Sequence, residues 1–360
     1  MLICLRMRVL VDIGHPAHVH FFRQSIARLR AEGHEVVLSA RDKDVTLDLL
    51  QAFALDHIAL SSARGGLWRE YPVRLAALAR LIRRLRPDVV TAVGGAFIAP
   101  AGRLTSTPTV VFTDTEHVAA DRVLTYPWAT RICTPQAFKK TLPRAQFRYR
   151  GLHELAYLDP RRFVPDPAIR TEMGLRPDEP FAILRLVSWK AAHDRGHRGL
   201  SAGDCVRAVD ALRAHGRVFL SAEGAAPSGL RADLFPLAAH RIHHALALAR
   251  VYLGEGATMA TEAGLLGTPS VYASTLVGTM GNFDLLAAED LVRSFRDGSR
   301  AVEEAARLMA DDGARAAWAA RAAVFAAGQS DMTELICGQL LDLGRPGRLR
   351  GFPGALEARP

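Results

Sequence analysis

The chain has 360 residues, long for a single core, so two domains of ordinary size are expected. It is 49% apolar and 23% charged, an ordinary globular composition, and no run of 18 apolar residues predicts a transmembrane helix. The net charge of +9 sits in one half: residues 1–150 hold 22 Lys and Arg against 12 Asp and Glu, residues 151–360 hold 24 against 25. No recognised module and no aromatics interleaved with the basic residues argue for nucleic acid, which is excluded as a partner. The start, "MLICLRMRVLVDIG", lacks the long apolar segment and cleavage site of a secretory signal, and Met7 reads as a start after a six-residue leader. Four scattered cysteines without metal-ligand spacing predict a reducing cytoplasm and no structural zinc.

Taken in order, the elements alternate strand and helix, which predicts an α/β chain of parallel sheets with helices on both faces. "RVLVDI" (Arg8–Ile13) reads as a strand, residues 18–32 as a helix ended by Gly33, and "EVVLSA" (Glu35–Ala40) as the next strand. A helix over 45–53 leads to "HIAL" (His57–Leu60). "RLAALARLIRRLRPD" (Arg74–Asp88) carries Leu75, Leu78, Ile82 and Leu85 as one helical stripe with arginines around it. That basic face is read as solvated; the alternative is contact with anionic lipid headgroups or a phosphate-bearing acceptor. "DVVTAVGG", a helix near 97–104 and "PTVVF" complete a first Rossmann-like domain, 7–153.

Pro, Asp and Arg in "ELAYLDPRRFVPDP" predict a hinge over 154–167. A second domain, 168–330, then repeats the alternation with "FAILRL", "VFLSA", "VYLGEG" and "PSVYA" as strands. A C-terminal helix, 331–344, is expected to return to the first domain, ahead of a mobile Gly/Pro/Arg tail, 345–360. The D-x-D at Asp42–Asp44 follows the second strand and is read as a helix entry.

The stretch "GEGATMATEAGLLGTPSV" (Gly254–Val271) sets glycines, threonines and a glutamate between an apolar strand and an apolar helix. Ligands bind at the carboxyl ends of strands in open α/β sheets, and a helix N-terminus there offers free N–H groups and a positive dipole end to a diphosphate. The competing reading is a glycine-rich turn with a capping threonine and a surface glutamate.

That stretch is similar to the donor-site motif of GT-B glycosyltransferases and non-hydrolysing nucleotide-sugar 2-epimerases. The resemblance implies a GT-B-like fold of two Rossmann-type domains facing across a cleft. It also implies that Gly256, Ala257, Thr258 and Met259 face the diphosphate, Glu262 the ribose, and the backbone around Ile242 the base. Together with "VDIGHPAHVHFFRQ", "VLSARDKDVTLDLL", "FTDTEH" and "RLVSWKAAHDRGHRGLS", it makes the chain resemble a bacterial and archaeal family of unknown function that is thought to share this architecture.

Three further patches fall on strand ends. "DIGHPAHVHFF" places His15 and His18 after the first strand, and "AHVHF" resembles the cleft-histidine loop of the lipid-linked N-acetylglucosaminyltransferase of cell-wall synthesis. Its glycine-rich "GGTGG" is replaced here by "IGHPA". A neutral His18 suits a general base; the alternative is that these histidines only cap the helix. Asp114 and Glu116 in "FTDTEH" could orient a base or bind sugar hydroxyls, or cap a helix. In "SWKAAHDRGHRG", His193 and Asp194 adjoin Lys190 and Arg195, cations that could offset the charge of a leaving nucleoside diphosphate; the alternative is a solvated loop.

The expected function is a metal-independent glycosyltransferase that uses a nucleotide-sugar, UDP-linked, with no cofactor. It would act at the cytoplasmic side, peripheral to the membrane, on a lipid- or phosphate-linked acceptor. A 2-epimerase is the alternative, weakened because "G-H-P-A" stands where epimerases carry "G-T-R-P-E". A non-catalytic nucleotide-sugar binding protein is the other.

Overall fold

A computed structural model describes residues 6–43, 45–62, 67–116, 118–142, 145–187, 199–223, 230 and 232–345. The first domain runs β1 (Arg8–Ile13), α1 (Pro16–Ala31), β2 (Glu35–Asp42), α2 (Thr46–Ala52), β3 (Ile58–Ser62) and α3 (Leu67–Leu85). It continues with β4 (Val89–Val93), α4 (Ile98–Thr105), β5 (Thr109–Phe112), α5 (Asp121–Leu124), β6 (Arg131–Pro135) and β7 (Gln146–Tyr149). Its seven strands order as β3-β2-β1-β4-β5-β6-β7 and pair in parallel throughout. Both faces of such a sheet are covered, so its strands read as apolar runs: Val9, Leu10, Val11 and Ile13 are all buried. Asp12 interrupts that run and is buried as well.

After α6 (Leu155–Leu158) and α7 (Ile169–Glu172), the second domain runs β8 (Phe181–Leu186), α8 (Ala202–Arg213), β9 (Arg217–Ala222) and β10 (Asp233–Leu234). Then come α9 (Ile242–Leu248), β11 (Val251–Gly254), α10 (Ala257–Leu265), β12 (Ser270–Ala273), α11 (Gly281–Ala288), β13 (Arg293–Phe295), α12 (Gly298–Ala310), α13 (Ala314–Ala327) and α14 (Met332–Gly344). Six strands order as β10-β9-β8-β11-β12-β13, again all parallel. In each sheet the strand order reverses direction beside the first strand, β1 next to β4 and β8 next to β11. A crevice opens at the carboxyl ends of the strands at such a switch point.

Four differences from the sequence reading have physical causes. The outer strands β6, β7, β10 and β13 are short and partly polar, so periodicity alone does not flag them. Helix α3 begins at Leu67, before Pro72, which reads as a break. Its arginines divide: Arg80, Arg83 and Arg84 are exposed, as a solvated face requires, whereas Arg74 is 0% exposed. The segment 154–167 has linker composition, yet all four residues of α6 are buried, and α6 packs on α1, α10 and α14.

Helix α14 lies on the first domain. Met332, Ile336 and Leu340 are buried, and α14 packs on α1, β4 and β5. Arg131 donates to Gln339 Oε1 (2.7 Å) and Asp342 Oδ2 (3.0 Å), and Arg28 pairs with Glu334.

Candidate functional site

Strand β11 ends in Gly254-Glu255-Gly256. A Cβ on Gly254 would lie 2.3 Å from the Tyr252 hydroxyl oxygen and 2.8 Å from Arg185 Cβ, so only glycine fits between β11 and β8. The Glu255 carboxylate is buried and accepts backbone N–H bonds from Val187 (2.9 Å) and Leu200 (2.6 Å). It therefore ties together both ends of the segment carrying Lys190, His193 and Asp194, which themselves lie outside the described residues. Gly256 is the N-cap of α10, with Ala257, Thr258 and Met259 as its first turn. No side chain among the described residues caps this end, Thr258 is exposed, and Gly256, Ala257 and Met259 are half-buried. The first N–H groups of this turn, at the positive end of the helix dipole, lie at the carboxyl end of β11. Gly267, at φ +76°, ends the helix past its C-cap in the left-handed region.

Glu262, one turn further in, is buried. Its Oε1 accepts from the Tyr157 hydroxyl (2.6 Å) and meets His243 Nε2 (3.0 Å). His20 of α1 closes the cluster, with ring centroids 4.6 Å from His243 and 5.3 Å from Tyr157. Burial pushes the Tyr157 phenol well above its usual range, helped by the Glu262 and Glu154 carboxylates, and it stays protonated as a donor. Glu262 is thus joined through Oε1 to Tyr157 and His243 of its own chain. Ile242 opens α9, half-buried beside this cluster.

The crevice of the first domain is a pocket of about 320 Å³ at the ends of β1, β2, β4 and β5. Asp12 at its floor accepts from Ser39 Oγ (2.7 Å) and from Arg74, whose Nη2 lies 2.8 Å from both Asp12 oxygens. Arg41 at its side makes a two-pronged pair with Glu70, one prong of which is Nε to Oε1 at 2.7 Å. His18 and Asp114 also line it, whereas His15 does not. His15 is the N-cap of α1 and accepts from Ala17 N–H (3.2 Å), the capping role. His18 Nδ1 accepts from Gly14 N–H (3.3 Å), which puts the proton of the neutral ring on Nε2. Burial depresses the His18 pKa well below its usual value, and His15, His153, Lys43 and Arg74 depress it further. The geometry makes His18 a neutral hydrogen-bond donor; the base expected from the sequence would need the other tautomer.

The two acids of "FTDTEH" separate. Asp114 borders the pocket, near His153 Nδ1 (3.5 Å) and Asn282 Nδ2 (3.3 Å), with Thr115 Oγ1 donating at 3.2 Å. Neither caps a helix; α5 starts only after Ala120. Glu116 is buried, and its Oε1 accepts from Lys139 N–H (3.1 Å) in the first domain and Gly281 N–H (3.0 Å) in the second. It bridges the domains and is absent from the pocket lining.

Behind Asp114, His153 Nε2, Glu154 Oε2, Glu116 Oε2 and Asn282 Oδ1 are buried with no hydrogen-bond partner among the described residues. Such unsatisfied polar groups gather at functional sites and each costs about 1–3 kcal/mol. Burial, then Asp114 and Glu262, raises the Glu154 carboxyl well above its usual value, while burial lowers His153.

The structure thus places Gly256, Ala257, Thr258 and Met259 on one helix turn at the end of β11 and His18 with Asp114 at the first-domain pocket; Glu262 is buried one turn further in, and His15 and Glu116 make structural hydrogen bonds. The sequence reading missed Asp12, Arg74, His153, Glu154 and Tyr157. Two of these carried a signal. Asp12 breaks an apolar strand, and Arg74 stands on the i, i+4 row of Leu78 and Ile82, the buried face of α3. The others lie in a segment whose composition masked its burial. Among the described residues, no group of three or more His, Cys, Asp or Glu could hold a metal ion, and no helix is long and apolar enough to cross a membrane.

Two parallel, Rossmann-type sheets with crevices at their switch points define the GT-B fold, and solved structures share it over nearly the whole chain. The spinosyn forosaminyltransferase SpnP matches with a TM-score of 0.62 at 16% identity, over 94% of this chain and all of that one. An S. aureus MnaA–UDP co-structure matches at 0.67 and 13%, over 92% and 95%. UDP-GlcNAc 2-epimerase from Neisseria meningitidis bound to UDP-GlcNAc matches at 0.64 and 13%, over 93% and 100%. The chain belongs to the family described as "Protein of unknown function (DUF354)", whose model matches residues 7–194, more than half of it. An uncharacterized protein, MJ0665, of Methanocaldococcus jannaschii is 25% identical over 207 residues, 54% of this chain and 60% of the relative, so the match spans less than two thirds of that protein.

Proposed function

We propose that this protein is a metal-independent glycosyltransferase that moves a sugar from a nucleotide donor, UDP-linked, to a hydroxyl of an acceptor held by the first domain. The observation that carries the reading is the uncapped first turn of α10 at the switch point of the second sheet. Its N–H groups and dipole suit a diphosphate and would stabilise the charge that develops as the nucleoside diphosphate leaves. The UDP and UDP-sugar in the neighbouring structures support the donor class. Across the cleft, Asp114 is the better general base, since its carboxylate accepts protons while neutral His18 presents Nε2–H. The acceptor oxygen would attack the anomeric carbon, Asp114 would take its proton, and the bond to the diphosphate oxygen would break. Lys190, His193 and Asp194 lie outside the described residues, and their proposed part rests on the sequence: the cations Lys190 and Arg195 would offset the charge of the leaving nucleoside diphosphate.

The exposed arginines of α3 support peripheral contact with anionic lipid, tested by co-sedimentation with phosphatidylglycerol vesicles against neutral ones. The epimerase reading is kept because epimerases share the fold. Solvent deuterium in recovered sugar nucleotide would favour it, and acceptor-dependent release of UDP would favour transfer. The first experiment is a thermal-shift panel of UDP-, GDP-, dTDP- and CMP-sugars. A ligand at 100 times its Kd adds about 2.7 kcal/mol of stability. No shift with any of them would remove the nucleotide-sugar reading.

A further inference from the structure

From the charge pairing in the first-domain pocket we infer that its ligand is an uncharged, hydroxyl-bearing molecule, a saccharide, and that phosphate-bearing compounds are rejected. The inference rests on the reading of this domain as the acceptor side and names the chemistry of what it takes. Among the described residues two cations line the pocket, and each is paired with a carboxylate. Arg74 is fully buried against both Asp12 oxygens (2.8 Å each), and Arg41 is bound to Glu70, whose side chain is 3% exposed. Lys43 lies close enough to depress His18 but is outside the lining and has an interaction of its own.

The carboxylates are in excess. Besides Asp12, the lining holds Asp114 and Asp121, and Asp121 accepts from Thr125 Oγ1 (2.6 Å). Burial raises the Asp121 carboxyl, opposed by the Thr125 hydrogen bond and the charge of Lys140. A phosphate or carboxylate entering this space would face two acids and no uncommitted arginine among the described lining residues. A hydroxyl meets the opposite situation, because carboxylates accept its proton and His18 Nε2–H can donate to its oxygen. Phe97 supplies an apolar wall, its ring 5.0 Å from the Arg74 guanidinium, and Gly94 and Gly95 leave the end of β4 without side chains. A few polar groups converging on a partly apolar wall, in about 320 Å³, suit a small ring bearing hydroxyls.

The test titrates the full-length protein, with and without saturating UDP, by saturation-transfer NMR. The probes are methyl glycosides of glucose, galactose, mannose and N-acetylglucosamine, the matching 6-phosphates, and inorganic phosphate. At least one neutral glycoside should bind at least tenfold more tightly than its 6-phosphate. Glu70→Gln, which uncovers Arg41 near the pocket rim, should narrow or reverse that preference. Asp12→Asn should do so more strongly if it folds, and Glu70→Gln decides the matter if it does not. Equal or tighter binding of the phosphates to wild type overturns the inference, as does glycoside binding whose preference Glu70→Gln leaves unmoved. No glycoside binding in the presence of bound UDP also overturns it, while the nucleotide-sugar reading survives. If UDP itself fails to bind, that reading falls, and the glycoside titration still judges the pocket.

Discussion

Glu154 is where burial and charge conflict most openly. Its carboxyl is held above the usual range by burial, then by Asp114 and Glu262, and Oε2 has no partner among the described residues. In the unfolded chain it ionises near the ordinary value, and in the folded chain it keeps its proton to higher pH. The folded state binds more protons in that window, so stability is full below the ordinary value and is lost as pH rises through the folded one. Glu154→Gln, neutral at every pH, should raise Tm more at pH 8 than at pH 5; equal shifts would place Glu154 elsewhere in the titration. Asp114 is assigned a proton to carry, so Asp114→Asn should lower kcat by about 10²–10⁴-fold while leaving UDP affinity near wild type. A loss confined to KM would make Asp114 a binding group only.

At the scale of the element, α10 carries the donor hypothesis, and Glu262 is a poor place to test it. Glu262→Ala removes the acceptor of Tyr157 and His243, so the apo protein melts lower before any nucleotide is added. Ala257 is a cleaner probe. Proline is tolerated at the first helical position, and Gly256, at φ −85° and ψ 117°, already has the extended conformation that a residue before proline needs. Ala257→Pro therefore deletes one N–H and leaves the helix standing. With a charge-assisted bond at about 1.5–3 kcal/mol, UDP affinity should fall roughly 10- to 100-fold with Tm almost unchanged. Unchanged affinity by calorimetry would mean that the diphosphate does not sit on this turn.

For the whole molecule, the contact between α11 and the first domain sets how closely the two halves approach. Gly281 donates its N–H to Glu116, and a Cβ there would lie 1.7 Å from the Ala137 carbonyl oxygen across the interface. Gly281→Ala should wedge the domains apart, giving a larger radius of gyration by small-angle scattering and loss of transfer. UDP binding should persist, since α10 and its crevice belong to the second domain. An unchanged scattering profile would show that the interface absorbs the methyl by local shifts.

Apolar runs, glycines and turn residues determined the β/α alternation, because a covered parallel sheet leaves its strands no other composition, and "GEGATMATEAGLLGTPSV" located the open helix end for the same local reasons. Arg74 was read with the solvated arginines of α3, because the meaning of its position needed Asp12, 62 residues away in sequence, brought to within 2.8 Å. The tertiary structure alone decided which of Asp114 and Glu116 faces a pocket and which clasps two domains, since both lie in one loop and differ only in what packs against them. It likewise set the tautomer of His18, the enclosure of Glu262 by Tyr157, and the matching of each pocket arginine to a carboxylate. Charge and hydrogen bonding act through space, and a sequence lists residues without saying which of them meet.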